Sequence, residues 1–285
     1  KGIGNKIDQL IGREIGKYLE NNPDDEYELA SLITPLSTIK SSEIIKTEYP
    51  PIPWLVSDYL GPGLTFLYGK PKVGKSWLAL QLALSILVGG VMFSKKVERG
   101  KVLYLALEDS KRRLQTRMKA QGWPGEEDID LMLFDKFQSQ IGTLNSQGGK
   151  RLLANIKAQE YDLVLVDTFS RAIHGNQLKS HEMTQAISPI QQYAMKRNIS
   201  LVIIDHEPKQ GNTLFGSVAK LGIADTFWRL YQKNGVYGTF LSISGRDLKK
   251  EYMLELEFNQ EHCFWDLNNN GDENENTKRE KEILV

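Results

Sequence analysis

Apolar and polar positions divide most of the chain into short strands alternating with longer helices. Residues 64 to 68 are a short run rich in β-branched and aromatic side chains, as in a buried strand. Residues 77 to 88 are long and rich in Ala and Leu and are stopped by Gly89 and Gly90, which predicts a helix. Further strands are predicted at 101–107, 161–167 and 199–205, with a short one at 131–137. Helices are predicted at about 110–121, 148–160 and 182–197. Strands that alternate with helices in this way imply a parallel sheet with crossovers. After about residue 225 the texture changes. Segments 225–232, 236–244 and 252–258 alternate or run apolar, with turns at Asn234-Gly235 and Gly245, and read as antiparallel strands that extend the sheet.

Before this core, Ile3, Ile7, Leu10, Ile11, Ile15 and Tyr18 recur at helical spacing, and residues 21 to 25 break that helix. Residues 31 to 53, with Pro50, Pro51 and Pro53, read as a connecting arm: packed, exchanged between subunits, or a remnant of a preceding domain. Residues 268 to 285 are dominated by Asn, Glu, Asp and Lys and read as a disordered tail. The division is therefore 1–53, 54–267 and 268–285.

Composition narrows the class only slightly. Apolar residues make up 40% and charged residues 25%, with 36 Lys+Arg against 36 Asp+Glu. Any nucleic-acid binding must then come from a local patch rather than from global basicity. The single cysteine, Cys263, excludes a disulfide within the chain and fits a reducing, cytoplasmic setting. No apolar run is long enough to predict a membrane span, and no signal-peptide pattern opens the sequence.

The chemistry begins at residues 69 to 76, Gly-Lys-Pro-Lys-Val-Gly-Lys-Ser, the pattern of a phosphate-binding loop. It lies between a predicted strand and a predicted helix, the setting in which backbone N–H groups and a helix N-terminus converge on phosphate. Gly69, Lys70, Pro71, Lys72, Val73, Gly74, Lys75, Ser76 and Trp77 form the candidate nucleotide cradle, with Lys75 on the β- and γ-phosphates. Lys70 and Lys72 read as solvated.

Ser76 and Asp167, which ends the apolar run 163–166, are the expected Mg²⁺ ligands. Glu108 directly follows a strand and is the candidate base for an attacking water, with Asp109 turned elsewhere. His206 follows the strand 199–205 and is placed to sense the γ-phosphate. A positive group must also meet the transition state, commonly from a neighbouring subunit. Arg246 is the favoured candidate, with Arg229 and Lys220 as alternatives. Trp54 reads either as an adenine-stacking side chain or as core. His174 and His181 have no Cys nearby and do not make a metal site.

Together these segments resemble the RecA-like ATPases, in particular the branch of the plasmid replicative helicase RepA. The resemblance rests on 67–76, 102–109, 163–168 and 201–206, with Gly216-Ser217, Ala224-Asp225 and Gly245-Arg246-Asp247, and it spans about 50–267. It implies a three-layer α/β core: a mostly parallel central sheet extended by antiparallel strands, plus the helical arm. It further implies ATP hydrolysis with Mg²⁺ at the subunit interfaces of a ring, commonly a hexamer. Single-stranded DNA would be contacted by loops 170–181 and 207–216, which carry Phe169, Arg171, His174, Lys179, Lys209 and Phe215 in or beside them. Replication proteins are further expected partners. Glu207 stands where relatives often carry a second His, and a carboxylate there repels a phosphate backbone. The expected function is a DNA motor, a helicase or helicase loader in plasmid, phage or mobile-element replication. The alternative is an ATP-dependent switch that acts on protein partners. A small-molecule kinase is disfavoured for lack of an Arg-rich lid.

Overall fold

The computed structural model describes residues 13, 14, 17, 37–126, 128–174, 180–207, 222–232 and 238–268, the side chains of 180–183, 185 and 186 excepted. It divides into two units, Lys1–Pro51 and Ile52–Val285. In the first, Arg13, Glu14 and Lys17 are helical, and the rest of the predicted first helix lies outside the described residues. Helix α1 (Ser41–Lys46) buries none of its residues.

Among the described residues the second unit is built on a nine-stranded sheet. Its parallel part contains β1 (Gly63–Gly69), β4 (Val102–Ala106), β5 (Asp130–Leu133), β6 (Leu163–Asp167), β7 (Ser200–His206) and β8 (Thr226–Gln232). The antiparallel part contains β9 (Thr239–Gly245), β10 (Tyr252–Asn259) and β11 (Phe264–Leu267). The order is β11-β10-β9-β8-β1-β7-β6-β4-β5. A separate hairpin pairs β2 (Gly90–Met92) with β3 (Lys95–Val97).

The central strands are apolar on both faces because both are covered. β1 and β6 are buried throughout. Alternate residues feed two cores, as pleating requires. Leu67, Leu165, Val202 and Ile204 meet Leu78, Leu82 and Ile86 of α2 (Lys75–Val88). Phe66, Val164, Leu201 and Ile203 meet Leu152 and Ile156 of α5 (Gln147–Gln159), and Ile187 and Ile190 of α7 (Ser180–Arg197). The result is the expected three-layer α/β core. Shorter helices complete it: α3 (Lys111–Ala120), α4 (Phe134–Gln140) and α6 (Phe169–Ala172).

Three sequence expectations are corrected. The segment predicted antiparallel at 225–232 pairs parallel with β1, Tyr68 opposite Arg229. Moving out from β1, polarity first reverses between β8 and β9. Apolar alternation marks a strand but carries no direction. Direction is set by Asp225, whose N–H meets Leu64 O at 2.9 Å and whose Oδ2 accepts from Leu64 N at 2.8 Å. That starts β8 at the same edge as β1. The segment 131–137 becomes a helix from Phe134 onward. The loop expected at 170–181 begins within α6, Phe169–Ala172. Among the described residues no helix is long and apolar enough to cross a membrane.

Candidate functional site

Four parallel strands end together on one edge of the sheet. Gly69 at the end of β1 is opposite His206 at the end of β7, and Ala106 of β4 is opposite Asp167 of β6. Glu108 lies two residues beyond β4. The predicted residues 69–76, Glu108, Asp167 and His206 are thus brought to one edge, where ligands of open α/β sheets bind.

The loop needs its glycines. A Cβ on Gly69 would lie 2.1 Å from the Leu230 carbonyl oxygen. Gly74 caps α2 in the left-handed region (φ 103°), and a Cβ there would lie 2.5 Å from the Trp265 ring. No side chain caps α2, so its first N–H groups face the loop. Lys70, Pro71 and Lys72 are exposed.

Lys75 is buried, and its Nζ donates to Gly69 O and Lys70 O, both at 2.9 Å. His206 Nδ1 is 3.4 Å from the same ammonium. An ammonium has only donors, so Nδ1 accepts and the ring proton resides on Nε2. Nε2 in turn faces Glu108 Oε1 at 3.9 Å. Burial pushes the Lys75 pKa down, opposed first by the charge of Asp167 and then by those of Asp205, Glu108 and Glu207.

Asp167 is 3% exposed, and its Oδ2 accepts from Tyr104 OH at 2.9 Å. Burial pushes its pKa up to about 6, with the Tyr104 and Ser76 hydroxyls pulling the other way. Ser76 is near enough to favour the carboxylate, yet Oδ1 is buried with no hydrogen-bond partner. A buried, unpartnered carboxylate oxygen beside a serine hydroxyl fits Mg²⁺ chemistry, in which one or two protein oxygens suffice beside water and phosphate. Ser76 and Asp167 are the residues that would hold the ion.

Glu108 Oε1 accepts from Thr168 Oγ1 at 2.8 Å, and Thr168 also meets Ser170 Oγ at 2.8 Å. This chain of hydroxyls aims a half-exposed carboxylate along the edge. Asp109 is held elsewhere, by Arg113 at 3.1 Å and Arg117 at 2.5 Å on α3, while Ser110 caps that helix. The basic face of α3 is therefore partly consumed by an acid of its own chain.

The alternatives for a positive finger separate. Arg229 Nη2 is paired with Glu207 Oε1 at 2.5 Å, and Glu207 N donates to Gly69 O at 3.1 Å. Glu207 is thus neutralised beside the loop instead of standing as a bare anion. Arg246 follows β9 at the opposite sheet edge, its side chain largely exposed, with Nη2 on Gly222 O at 2.8 Å and Nη1 at 3.9 Å from Asp225. Lys220 lies outside the described residues.

Trp54 packs on Gly61, at the edge away from the loop, so its adenine-stacking alternative is set aside. Phe169 is fully buried, which removes it from base stacking. Arg171 lies over the Phe134 ring at 5.5 Å. Lys179, Lys209 and Phe215 lie outside the described residues, as does the side chain of His181. Among the described residues there is no His/Cys/Asp/Glu metal cluster.

Sequence reasoning missed Tyr104, Thr168, Phe258 and Trp265. Tyr104 and Thr168 are polar groups in or just after buried strands, a detectable signal. Phe258 and Trp265 carry none, since they reach the loop only through the β9–β11 extension. With Trp77, Gln232 and Thr239 they line a cavity of about 610 Å³ against residues 70–74, roomy and aromatic enough for a nucleobase.

Residues 30–212 match the family described as the AAA domain. The chain belongs to that family. It is accordingly a P-loop ATPase, and the family implies ATP binding. The family match does not extend to the plasmid-helicase branch. A search of curated proteins finds no match to the chain.

Proposed function

We propose that this AAA-domain ATPase hydrolyses Mg²⁺-ATP as a ring, commonly a hexamer, and drives a process on DNA. The role that fits best is a helicase or helicase loader in plasmid, phage or mobile-element replication. The observation that carries the hydrolytic part is Glu108, aimed by Thr168 along the edge where Lys75 and Asp167 meet.

In this reading Lys75 leaves the Gly69 and Lys70 carbonyls for the β- and γ-phosphates. Ser76 and Asp167 hold Mg²⁺, which supplies charge neutralisation on the phosphates. Glu108 accepts a proton from the water that attacks the γ-phosphorus, and ADP and phosphate leave. His206, released by Lys75, carries the change to the loop that begins at Glu207. The distance of Arg246 from its own loop supports a ring. It starts from the far end of a strand roughly 20 Å long, so it can complete a site only on a neighbour. The Arg229–Glu207 pair supports the DNA role by removing the exposed anion that opposed it.

A second reading, an ATP-dependent switch acting on protein partners, draws support from the first loop, where Phe169 is buried and Arg171 is occupied by Phe134. The ATPase rate with and without single-stranded DNA, measured beside mass in solution, decides between them. A several-fold stimulation with ring-sized particles supports the motor. An unstimulated rate favours the switch. Hydrolysis retained in Lys75→Ala would sink both.

A further inference from the structure

The phosphate loop is held from more than one side. At its start, Gly69 lies against Leu230 of β8 and accepts from Glu207, just beyond β7. At its end stands Trp265, from the strand farthest along the antiparallel extension. The Trp265 indole Nε1 donates to Gly74 O at 3.3 Å, and its ring fills the space where any Cβ on Gly74 would go.

Trp265 is itself fixed with unusual completeness. The Gln81 amide, buried on α2, acts as a substitute strand partner: its Oε1 accepts from Trp265 N and its Nε2 donates to Trp265 O, both at 2.8 Å. Phe258 on the neighbouring strand meets the ring edge-on at 5.0 Å. Gln121 Nε2, reaching both Cys263 O at 3.0 Å and Trp77 O at 3.2 Å, ties the start of β11 to the same helix. A buried side-chain amide needs such partners, but it does not need to spend both on one tryptophan.

We propose that Trp265 is a positioning residue for ATP binding. It sets Gly74, and with it the N–H groups at the turn into α2, in the arrangement that receives the phosphates. The antiparallel strands β9–β11 then have a task at the site: they carry this indole to the loop. The proposal rests on the ATPase reading. It differs from a direct contact of Trp265 with the nucleobase, which the adjoining cavity would also allow.

The test separates these. Calorimetric titrations of the full chain would use Mg²⁺ with ATP, GTP or inorganic tripolyphosphate, on the wild type, Trp265→Phe and Lys75→Ala. Phe keeps an aromatic ring but loses the indole donor together with part of the bicycle that packs on Gly74. Trp265→Phe is expected to weaken all three ligands by the same factor, about fivefold for one neutral hydrogen bond. KM for ATP should rise with it while kcat at saturation stays within about twofold. Weakened ATP with unchanged tripolyphosphate would overturn positioning in favour of base contact. A lowered melting temperature with all three affinities unchanged would overturn it in favour of mere packing. A wild type that binds none of the three, like Lys75→Ala, overturns the ATPase reading and the positioning role with it.

Discussion

Replacing Asp167 with Asn should make the nucleotide-free protein more stable while stopping its chemistry. The carboxylate is buried and its pKa is raised from 3.8 to about 6, chiefly by desolvation. A rise of that size corresponds to about 3 kcal/mol between protonation states. Because the folded value exceeds the unfolded one, the native chain holds the proton more tightly. Ionisation therefore carries no penalty below about pH 3.8 and its full penalty above about pH 6. Asn keeps an oxygen for Tyr104 OH and carries no charge to desolvate. The expected gain is about 1.6 kcal/mol at pH 5, growing to about 3 kcal/mol at pH 7.5, where Tm would rise by about 6–12 °C. Lys75 loses a favourable anion only where Asp167 is ionised, which trims the pH 7.5 figure and hardly touches the one at pH 5. Urea unfolding of the two proteins at pH 5, 6 and 7.5, without Mg²⁺ or nucleotide, measures this. Equal gains at all three values, or an Asn variant less stable than the parent at pH 7.5, would refute the desolvation argument.

Glu108→Gln should bind ATP with near-native affinity and hydrolyse it about 10²–10⁴-fold more slowly, read by phosphate release against equilibrium binding. Thr168→Val, which frees Glu108 from its hydroxyl, should lower kcat by a smaller factor, about tenfold, with KM for ATP unchanged. Asp109→Ala should leave kcat intact and lower stability by about 1 kcal/mol, because the part-buried Arg117 loses its ion-pair partner; a loss of kcat equal to that of Glu108→Gln would show the acidic pair misassigned. Arg246→Ala subunits mixed into wild-type protein should depress the ATPase rate more than dilution alone explains, whereas a strictly proportional decline would argue against a finger acting across subunits.

The strand ends were legible because a central parallel strand announces itself: an apolar run closed by a polar residue fixes both the strand and its edge. Glu108, Asp167 and His206 were found this way, and Gly69 by the loop pattern that it opens. What the sequence hid depends on contacts between distant segments. Glu207 read as an anion facing DNA because its counter-ion, Arg229, arrives through the parallel pairing of β8 with β1, and the apolar alternation of 226–232 carries no direction. Tyr104 lies in an apolar strand, and nothing local says that its hydroxyl meets an aspartate 63 positions away. Trp265 sits 191 residues from Gly74 and was beyond any local pattern. Asp109 was read as turned elsewhere, but the arginines that hold it, Arg113 and Arg117, lie on the following helix and were not legible as its partners.

The three hydrogens of the Lys75 ammonium already have acceptors: two loop carbonyls and the His206 ring. On the proposed role of Lys75, phosphate would therefore enter by exchange and not by filling a waiting socket. A ligand would have to offer enough negative charge to draw the ammonium off all three, and a monophosphate, with few oxygens and less charge, would compete poorly against them. Discrimination by phosphate number would thus be set before any contact with base or sugar. The same exchange would leave His206 without its donor, so occupancy of the loop would be registered on β7 in the act of binding, ahead of any bond breaking.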